Sequence, residues 1–284
     1  MTLGASGRRP LIRTRRAHRS IVAAQRLGSV APLATPKPPS GRILAVCRML
    51  AAPLGLPGHA VLGPFRAMAR GENPARKHSN AWDHPHGWGV VYEERGLLRA
   101  YRSARPCWQD PTFDAFGEAR ILLLHARRAT NGAVSAENAH PFSLDVAGRT
   151  WFFCHNGTVH DPLPAPAESR LAATTDSYRM FFRLAGEGLG TDTSATLCSV
   201  YGSLAHYTSL NTFLLEEEEL WTVCRWAKDS AYYTLYQSEA GGGPVVSSEP
   251  LPELAGAWTA MANGAVLHVD RRTGAAERTT LLQP

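Results

Sequence analysis

The sequence predicts an α+β fold built on antiparallel sheets. Short strand-like runs follow one another with tight connections, which suits antiparallel pairing. Segments with helical periodicity stand apart instead of alternating with strands, which argues against a parallel α/β fold. No internal repeat and no inner linker interrupts residues 47–284, so they read as one domain.

The elements follow in order. Ala60, Val61, Phe65 and Met68 recur near helical spacing and predict a helix over His59–Arg70. Gly89–Tyr92 and Leu97–Tyr101 flank Glu93-Glu94-Arg95-Gly96 and predict a hairpin. Asp110 and Pro111 predict a short helix reaching Glu118, and strands are expected at 120–126 and 150–155. Asp176–Leu184 reads as a helix capped by Thr174 or Thr175, and Thr193–Leu204 as another. Strand-like runs then cover Asn211–Leu215, Leu220–Trp226, Tyr232–Tyr236, Pro244–Ser247 and Ala265–Val269, with Glu216–Glu219 as a solvated turn. Cys154 falls in a core strand, and Trp82, Trp88 and Trp151 read as core or pocket wall.

The whole-chain charge of +6 is uneven. Residues 1–46 hold nine basic side chains and no acid, so the remaining residues carry −3, the whole-chain +6 less those nine. The pI near 9.3 therefore belongs to the leading segment, and global charge gives no reason to expect a nucleic-acid partner. No run approaches the ~18–20 apolar residues of a membrane span. The five cysteines are widely and irregularly spaced with no CxxC, which predicts reduced thiols, a cytoplasmic setting and no structural zinc. His84-Pro85-His86 lacks a third ligand at useful spacing, so neither a metal nor a cofactor is expected. Residues 1–46 admit three readings: a targeting peptide, a pro-segment cut before Cys47, or a misassigned gene start in which Val46 is a GTG initiator.

Four polar groups recur along the domain in an order that suits cleavage of a glutamine side-chain amide. Cys47 offers a thiol nucleophile, and if it is the first residue its own α-amine, with a reference pKa of about 7.7–8.0, is the base. His155-Asn156-Gly157 ends an apolar strand, where the Asn156 amide and the Gly157 N–H can meet an oxyanion. Arg127 supplies a bidentate fork for the substrate α-carboxylate, with the Thr130 hydroxyl beside it. Asp176, at a helix start favourable to a carboxylate, pairs with the α-ammonium.

In that order the motifs resemble the class II glutamine amidotransferases, the N-terminal-nucleophile family, and among them the small stand-alone members. Cys47-Arg48-Met49-Leu50 is similar to their N-terminal start, Gly87-Trp88-Gly89-Val90 to the Gly-Trp-Gly strand, and His125-x-Arg127-x-Ala129 to the glutamine-carboxylate motif. Glu137-Asn138-Ala139-His140-Pro141-Phe142, His155-Asn156-Gly157, Thr175-Asp176-Ser177 and Ser248-Glu249-Pro250-Leu251 follow in family order. The resemblance implies a four-layer αββα sandwich of two antiparallel sheets. It also implies a γ-glutamyl thioester, ammonia release and hydrolysis to glutamate. His86, Arg128 and Asn131 depart from common family residues near the pocket rim and bear on substrate choice.

Three functions follow as expectations. The first is glutamine amidohydrolysis, with a separate synthase accepting the ammonia, since no synthase domain follows. The second is hydrolysis of a γ-glutamyl conjugate, as in ergothioneine-pathway members. The third is a binding module in which the leading segment blocks Cys47. The sequence carries no reading of oligomeric state.

Overall fold

The computed structural model describes residues 47–79, 82–164 and 175–281. The readings of residues 1–46, and of Thr174 as a cap, lie outside the described residues. The described residues fall in a single compact unit.

The chain runs β1 (Arg48–Pro57), α1 (Gly58–Ala69), the hairpin β2 (Trp88–Glu94) and β3 (Leu97–Ser103), β4 (Arg120–Ala126), β5 (Phe142–Val146) and β6 (Arg149–Asn156). Helices α2 (Asp176–Gly186) and α3 (Thr193–Gly202) follow, then β7 (Asn211–Leu215), β8 (Glu219–Cys224) and the single turn α4 (Ser230–Tyr233). The last elements are β9 (Tyr236–Ala240), β10 (Gly243–Ser247), β11 (Thr259–Ala260), β12 (Ala265–Asp270) and β13 (Ala276–Thr280).

Two antiparallel sheets form. One has the order β11-β9-β10-β1-β4-β2-β3 and the other β13-β12-β8-β7-β6-β5. Period-two alternation sorts their side chains into separate cores. Leu50, Ala52 and Val90 face α1, whereas Met49, Ala51 and Val91 face the second sheet. In that second sheet Phe152, Cys154, Phe213 and Leu215 point back to the first, while Phe153, Leu214 and Val223 pack under α2 and α3. The layers are therefore helix, sheet, sheet, helices, the αββα sandwich that the resemblance implies. Burial on both faces explains the unbroken Ile121–Leu124 run, as in a parallel strand but reached here with antiparallel neighbours.

Several elements differ from the sequence expectation. Residues 110–118 form no α-helix, only one 3-10 turn at Asp114–Phe116, with another at Cys107–Gln109 just before them. Asp110 is held by Trp88 Nε1 at 3.0 Å and by the Thr112 N–H at 3.0 Å, and Phe113 and Phe116, three apart, pack against Trp88. Tyr232–Tyr236 is not a strand. Asp229 adopts a left-handed φ of 59°, and its carbonyl accepts from the Tyr232 and Tyr233 N–H groups, closing a helical turn before β9 begins. Glu216 is not solvated: it is fully buried, pairs with Arg149 Nη1 at 3.4 Å and accepts from the Glu218 N–H at 2.8 Å. Thr175 is the cap of α2, its hydroxyl accepting from the Tyr178 N–H at 3.3 Å.

Candidate active site

The site lies where β1, β4 and β6 end at one edge of the sandwich. β1 begins at Arg48 and pairs with β4 through Arg48–Ala126 and Met49–His125, so Cys47 stands beside Arg127 and Arg128 as β4 ends. The Cys47 Sγ is 3.9 Å from the Arg128 carbonyl oxygen. From the opposing sheet β6 delivers Asn156, whose Oδ1 accepts from the Cys47 backbone nitrogen at 2.9 Å. The Asn156 Nδ2 is buried and, among the described residues, has no hydrogen-bond partner. A buried donor without an acceptor costs about 1–3 kcal/mol, and this one belongs to the side chain that holds the Cys47 nitrogen.

Gly157 follows Asn156 where a side chain has no room. An added Cβ would stand 1.9 Å from the Ser209 carbonyl oxygen and 2.6 Å from its carbon. Gly89 is under similar pressure, with the His140 oxygen 2.2 Å from its would-be Cβ, which explains the second glycine of Gly87-Trp88-Gly89.

Cys47, Arg127, Thr130, Gly157 and Asp176 line one cavity of about 20 Å³. Room of that size suits one water. Arg127 is buried, and its Nη1 and Nη2 donate to the Ala133 and Asn131 carbonyls at 2.9 and 2.6 Å. The guanidinium that the sequence assigns to a substrate carboxylate thus also holds the loop that closes the cavity. Thr130 is not at the end of the strand, since β4 stops at Ala126; it is an exposed loop residue that still reaches the rim. Asp176 opens α2, and its Oδ2 accepts from the Val159 N–H at 2.8 Å.

Charge around the thiol is mixed. Burial pushes the Cys47 thiol up; a backbone hydrogen bond at Arg128 and the Arg127 and Arg48 charges draw it down, and Asp176 adds to the rise. Burial likewise lowers Arg127, opposed by Cys47 and Asp176.

Three histidines lie beneath. His155 Nδ1 is 2.9 Å from Ser177 Oγ and its Nε2 is 3.1 Å from the Ser209 carbonyl. The carbonyl can only accept, so Nε2 carries the proton and the Ser177 hydroxyl donates to Nδ1. This bond ties the Asn156-Gly157 turn to the helix start bearing Asp176. Both His140 ring nitrogens are buried without partners among the described residues, and the ring packs on His125 at 4.2 Å. Burial lowers all three, His125 to about 3, so they are neutral imidazoles at pH 7. His84 and His86 are spent on backbone: His84 Nδ1 on the Ala69 carbonyl at 2.9 Å, His86 Nδ1 on the Ala129 N–H at 2.9 Å.

The Ser248-Glu249 segment plays a part that its sequence alone did not reveal. The Ser248 Oγ accepts from the Met49 N–H at 2.9 Å, and the Ser248 N–H donates to the Met49 carbonyl at 2.9 Å. Glu249 Oε1 pairs with Arg48 Nη2 at 2.9 Å, and Arg48 Nη1 donates to the Cys47 carbonyl at 3.3 Å. The two residues after Cys47 are thereby clamped from a segment about 200 positions away.

A family model described as class-II glutamine amidotransferases matches residues 69–235, more than half of the 284-residue chain. The chain belongs to the class II glutamine amidotransferases. Among curated members of this and related groups, YafJ of Escherichia coli (strain K12), which carries the name glutamine amidotransferase, is 32% identical over 80 residues, 27% of this chain and 31% of YafJ. The match thus spans about a third of that relative's length. The γ-glutamyl-hercynylcysteine sulfoxide hydrolase of Mycolicibacterium smegmatis is 27% identical over 216 residues, 72% of this chain and 88% of that protein. Two solved structures share the fold. A glutamine aminotransferase class-II domain protein from Silicibacter pomeroyi aligns at TM-score 0.51 and 23% identity, covering 69% of this chain and 92% of that one. The glutamine phosphoribosylpyrophosphate amidotransferase of B. subtilis aligns at 0.60 and 12%, covering 84% and 50%. This amidotransferase-family chain has no helix, among the described residues, long and apolar enough to cross a membrane.

Proposed function

We propose that this chain hydrolyses a γ-glutamyl amide through a thioester on Cys47. The observation that carries the reading is the bond from the Cys47 nitrogen to Asn156 Oδ1, which leaves the Asn156 Nδ2 buried and, among the described residues, unpartnered. In this mechanism residues 1–46 are absent or removed, and residues 47–284 form the working domain. The free α-amine of Cys47 then takes the thiol proton, directly or through a water. The thiolate attacks the γ-carbonyl carbon, and the oxyanion receives hydrogen bonds from Asn156 Nδ2 and the Gly157 N–H. The C–N bond breaks as the α-amine returns the proton to the departing amine. Water then adds to the thioester, releasing glutamate and the thiol. Arg127 and Thr130 hold the α-carboxylate and Asp176 the α-ammonium throughout.

Glutamine is the simplest substrate, and the ammonia then passes to a separate synthase. A second reading, a γ-glutamyl conjugate with a larger leaving group, is favoured by the hydrolase relative that spans most of both chains. The test is glutamate release by a chain beginning Met-Cys47, with intact mass recording loss of the methionine. Turnover of glutamine or a γ-glutamyl amide is expected; a chain that starts at Cys47, is folded and releases no glutamate from any of them sinks the proposal. If instead the native protein retains residues 1–46, the binding-module reading takes its place.

A further inference from the structure

Three Asn-Gly pairs occur in the chain: Asn131-Gly132, Asn156-Gly157 and Asn263-Gly264. In such a pair the glycine nitrogen can close on the asparagine side-chain carbonyl, because glycine has no Cβ to hinder the approach. The fold decides which pair does so. Solvent must reach the peptide, the asparagine amide must be free to turn, and the glycine N–H must not be held by an acceptor.

Two pairs do not meet these conditions. Asn156 is buried, and its Oδ1 is fixed on the Cys47 nitrogen at 2.9 Å. Asn263 is exposed, but its Oδ1 accepts from the Trp226 N–H at 2.9 Å and its Nδ2 donates to the Trp226 carbonyl at 3.0 Å. The Gly264 N–H is held as well, donating to the Cys224 carbonyl at 2.7 Å. The first pair differs on every count. Asn131 and Gly132 are both exposed in the irregular loop after β4, with Gly132 at a φ of 75°. Among the described residues, neither the Asn131 side chain nor the Gly132 N–H makes a hydrogen bond.

We infer that Asn131 deamidates spontaneously in the folded protein, and that the isoaspartate so formed occupies Arg127 with its own carboxylate. Solvent hydroxide takes the Gly132 amide proton, and the nitrogen attacks Asn131 Cγ. The N–Cγ bond forms, the Cγ–Nδ2 bond breaks, and Nδ2 leaves as ammonia after taking a proton from water. Water then opens the cyclic imide. Attack at Cγ gives aspartate. Attack at the Asn131 main-chain carbonyl carbon gives isoaspartate: the peptide link to Gly132 now runs through Cγ, and the former main-chain carbonyl becomes a free carboxylate. That carbonyl is the one that accepts from Arg127 Nη2 at 2.6 Å, and Asn131 lines the same cavity as Cys47, Arg127 and Asp176. A neutral acceptor on the guanidinium is thereby replaced by a charged one, which binds it more strongly. The chain towards the Ala133 carbonyl, held by Nη1 at 2.9 Å, also gains a methylene. The effect on turnover rests on the γ-glutamyl hydrolysis proposed above, in which Arg127 receives the substrate α-carboxylate.

The native protein is aged in heavy-oxygen water at neutral and alkaline pH, beside a urea-unfolded sample, and mapped by peptide mass spectrometry. Exchange of NH2 for a labelled OH is expected at residue 131 in the folded chain, faster at alkaline pH, and at residues 156 and 263 only after unfolding. Labelling by an isoaspartyl methyltransferase separates isoaspartate from aspartate. As isoaspartate accumulates, KM for glutamate release should rise by about 10- to 100-fold, the range of one charge-assisted bond. Asn131→Gln, whose longer side chain closes the ring poorly, should keep its own starting KM through the same ageing. If Asn131 survives in the folded chain while the unfolded sample deamidates at all three pairs, or if residues 156 and 263 convert as fast in the folded chain, the site is overturned. Conversion to isoaspartate with an unchanged KM overturns the occupation of Arg127. A protein that releases no glutamate before ageing overturns the γ-glutamyl reading, and the effect on turnover with it; the mass map then still decides the site.

Discussion

Replacing Glu249 by glutamine removes one charge and almost no volume from the polar cluster behind Cys47. Glu249 Oε1 lies 2.9 Å from Arg48 Nη2 and 3.1 Å from His78 Nε2, and Oε2 accepts from Asn73 Nδ2 at 2.8 Å. Arg48 and Glu249 are 1% and 2% exposed, so water cannot take the lost partner's place. Glutamine offers one acceptor oxygen where the Arg48 and Asn73 donors and the His78 ring converge. Leaving a buried guanidinium uncompensated costs about 3–5 kcal/mol, a large part of the ~5–15 kcal/mol by which domains are stable. Urea unfolding of the full chain at pH 7 should show that loss. Its pH dependence has a definite sign. Burial raises the Glu249 carboxyl, but the His78 and Asn73 hydrogen bonds and the Arg48 charge outweigh it and hold the group below its ordinary value. The carboxylate then stabilises the fold above the unfolded pKa of about 4.3, and this is lost as pH falls through the lower folded value. The gap between wild type and variant should narrow there. The variant also leaves the Arg48 charge unbalanced, and that charge draws the Cys47 thiol down. The inflection of the iodoacetamide alkylation rate should therefore move to lower pH. A loss under about 1 kcal/mol, or a thiol inflection that stays or rises, would refute the clamp.

Three further outcomes follow from the site. Asn156→Ala should lower kcat by about 10²–10³-fold with a smaller change in KM, read from glutamate release; an unchanged kcat would remove Asn156 from the oxyanion role. Gly157→Ala puts a Cβ 1.9 Å from the Ser209 oxygen, so the turn must shift by more than an ångström, and displacement on that scale costs on the order of 10²-fold in rate; wild-type kinetics would contradict the crowding. His125 is held at about 3 by burial and titrates near 6.5 when unfolded. The unfolded state then binds more protons between those values, so stability should fall as pH drops through that window; His125→Asn should flatten the slope, and an equal slope in both proteins would exclude His125 as a cause.

Much of the sandwich was legible because its strands carry local signals. Ile121–Leu124 and Trp151–Cys154 are apolar runs that only a strand buried on both faces can use, and the β2–β3 hairpin announces itself through Arg95-Gly96, both at positive φ. β1 was not legible. Pro53, Gly55 and Pro57 interrupt it, and the register shift between Ala51 and Leu56 absorbs them without ending the strand. β13 was missed for the opposite reason: it is an exposed edge strand, Ala-Glu-Arg-Thr-Thr, with no apolar alternation. At the site, residue types demanded by the chemistry pointed to Cys47, Arg127, Asn156, Gly157 and Asp176. What stayed hidden depends on pairs far apart in sequence. Nothing near Glu249 says that its partner is Arg48, and nothing near Arg127 says that its guanidinium will hold two loop carbonyls. No local periodicity encodes either.

In the proposed reaction Asn156 joins two requirements in one side chain. Its carbonyl oxygen must face the Cys47 nitrogen, because the reverse orientation would set an NH2 against an N–H, donor against donor. Fixing the oxygen there fixes the NH2 on the opposite side, buried and free to donate. That constraint holds for a peptide nitrogen, which can only donate. With residues preceding Cys47, the Asn156 NH2 is thus oriented as the proposed oxyanion donor. A peptide nitrogen, however, has no lone pair to lend, its electrons being delocalised into the carbonyl, whereas a free α-amine can accept the thiol proton. In the proposed mechanism, exposure of the Cys47 amine therefore decides whether the base is present, and a chain that keeps its leading residues would lack it.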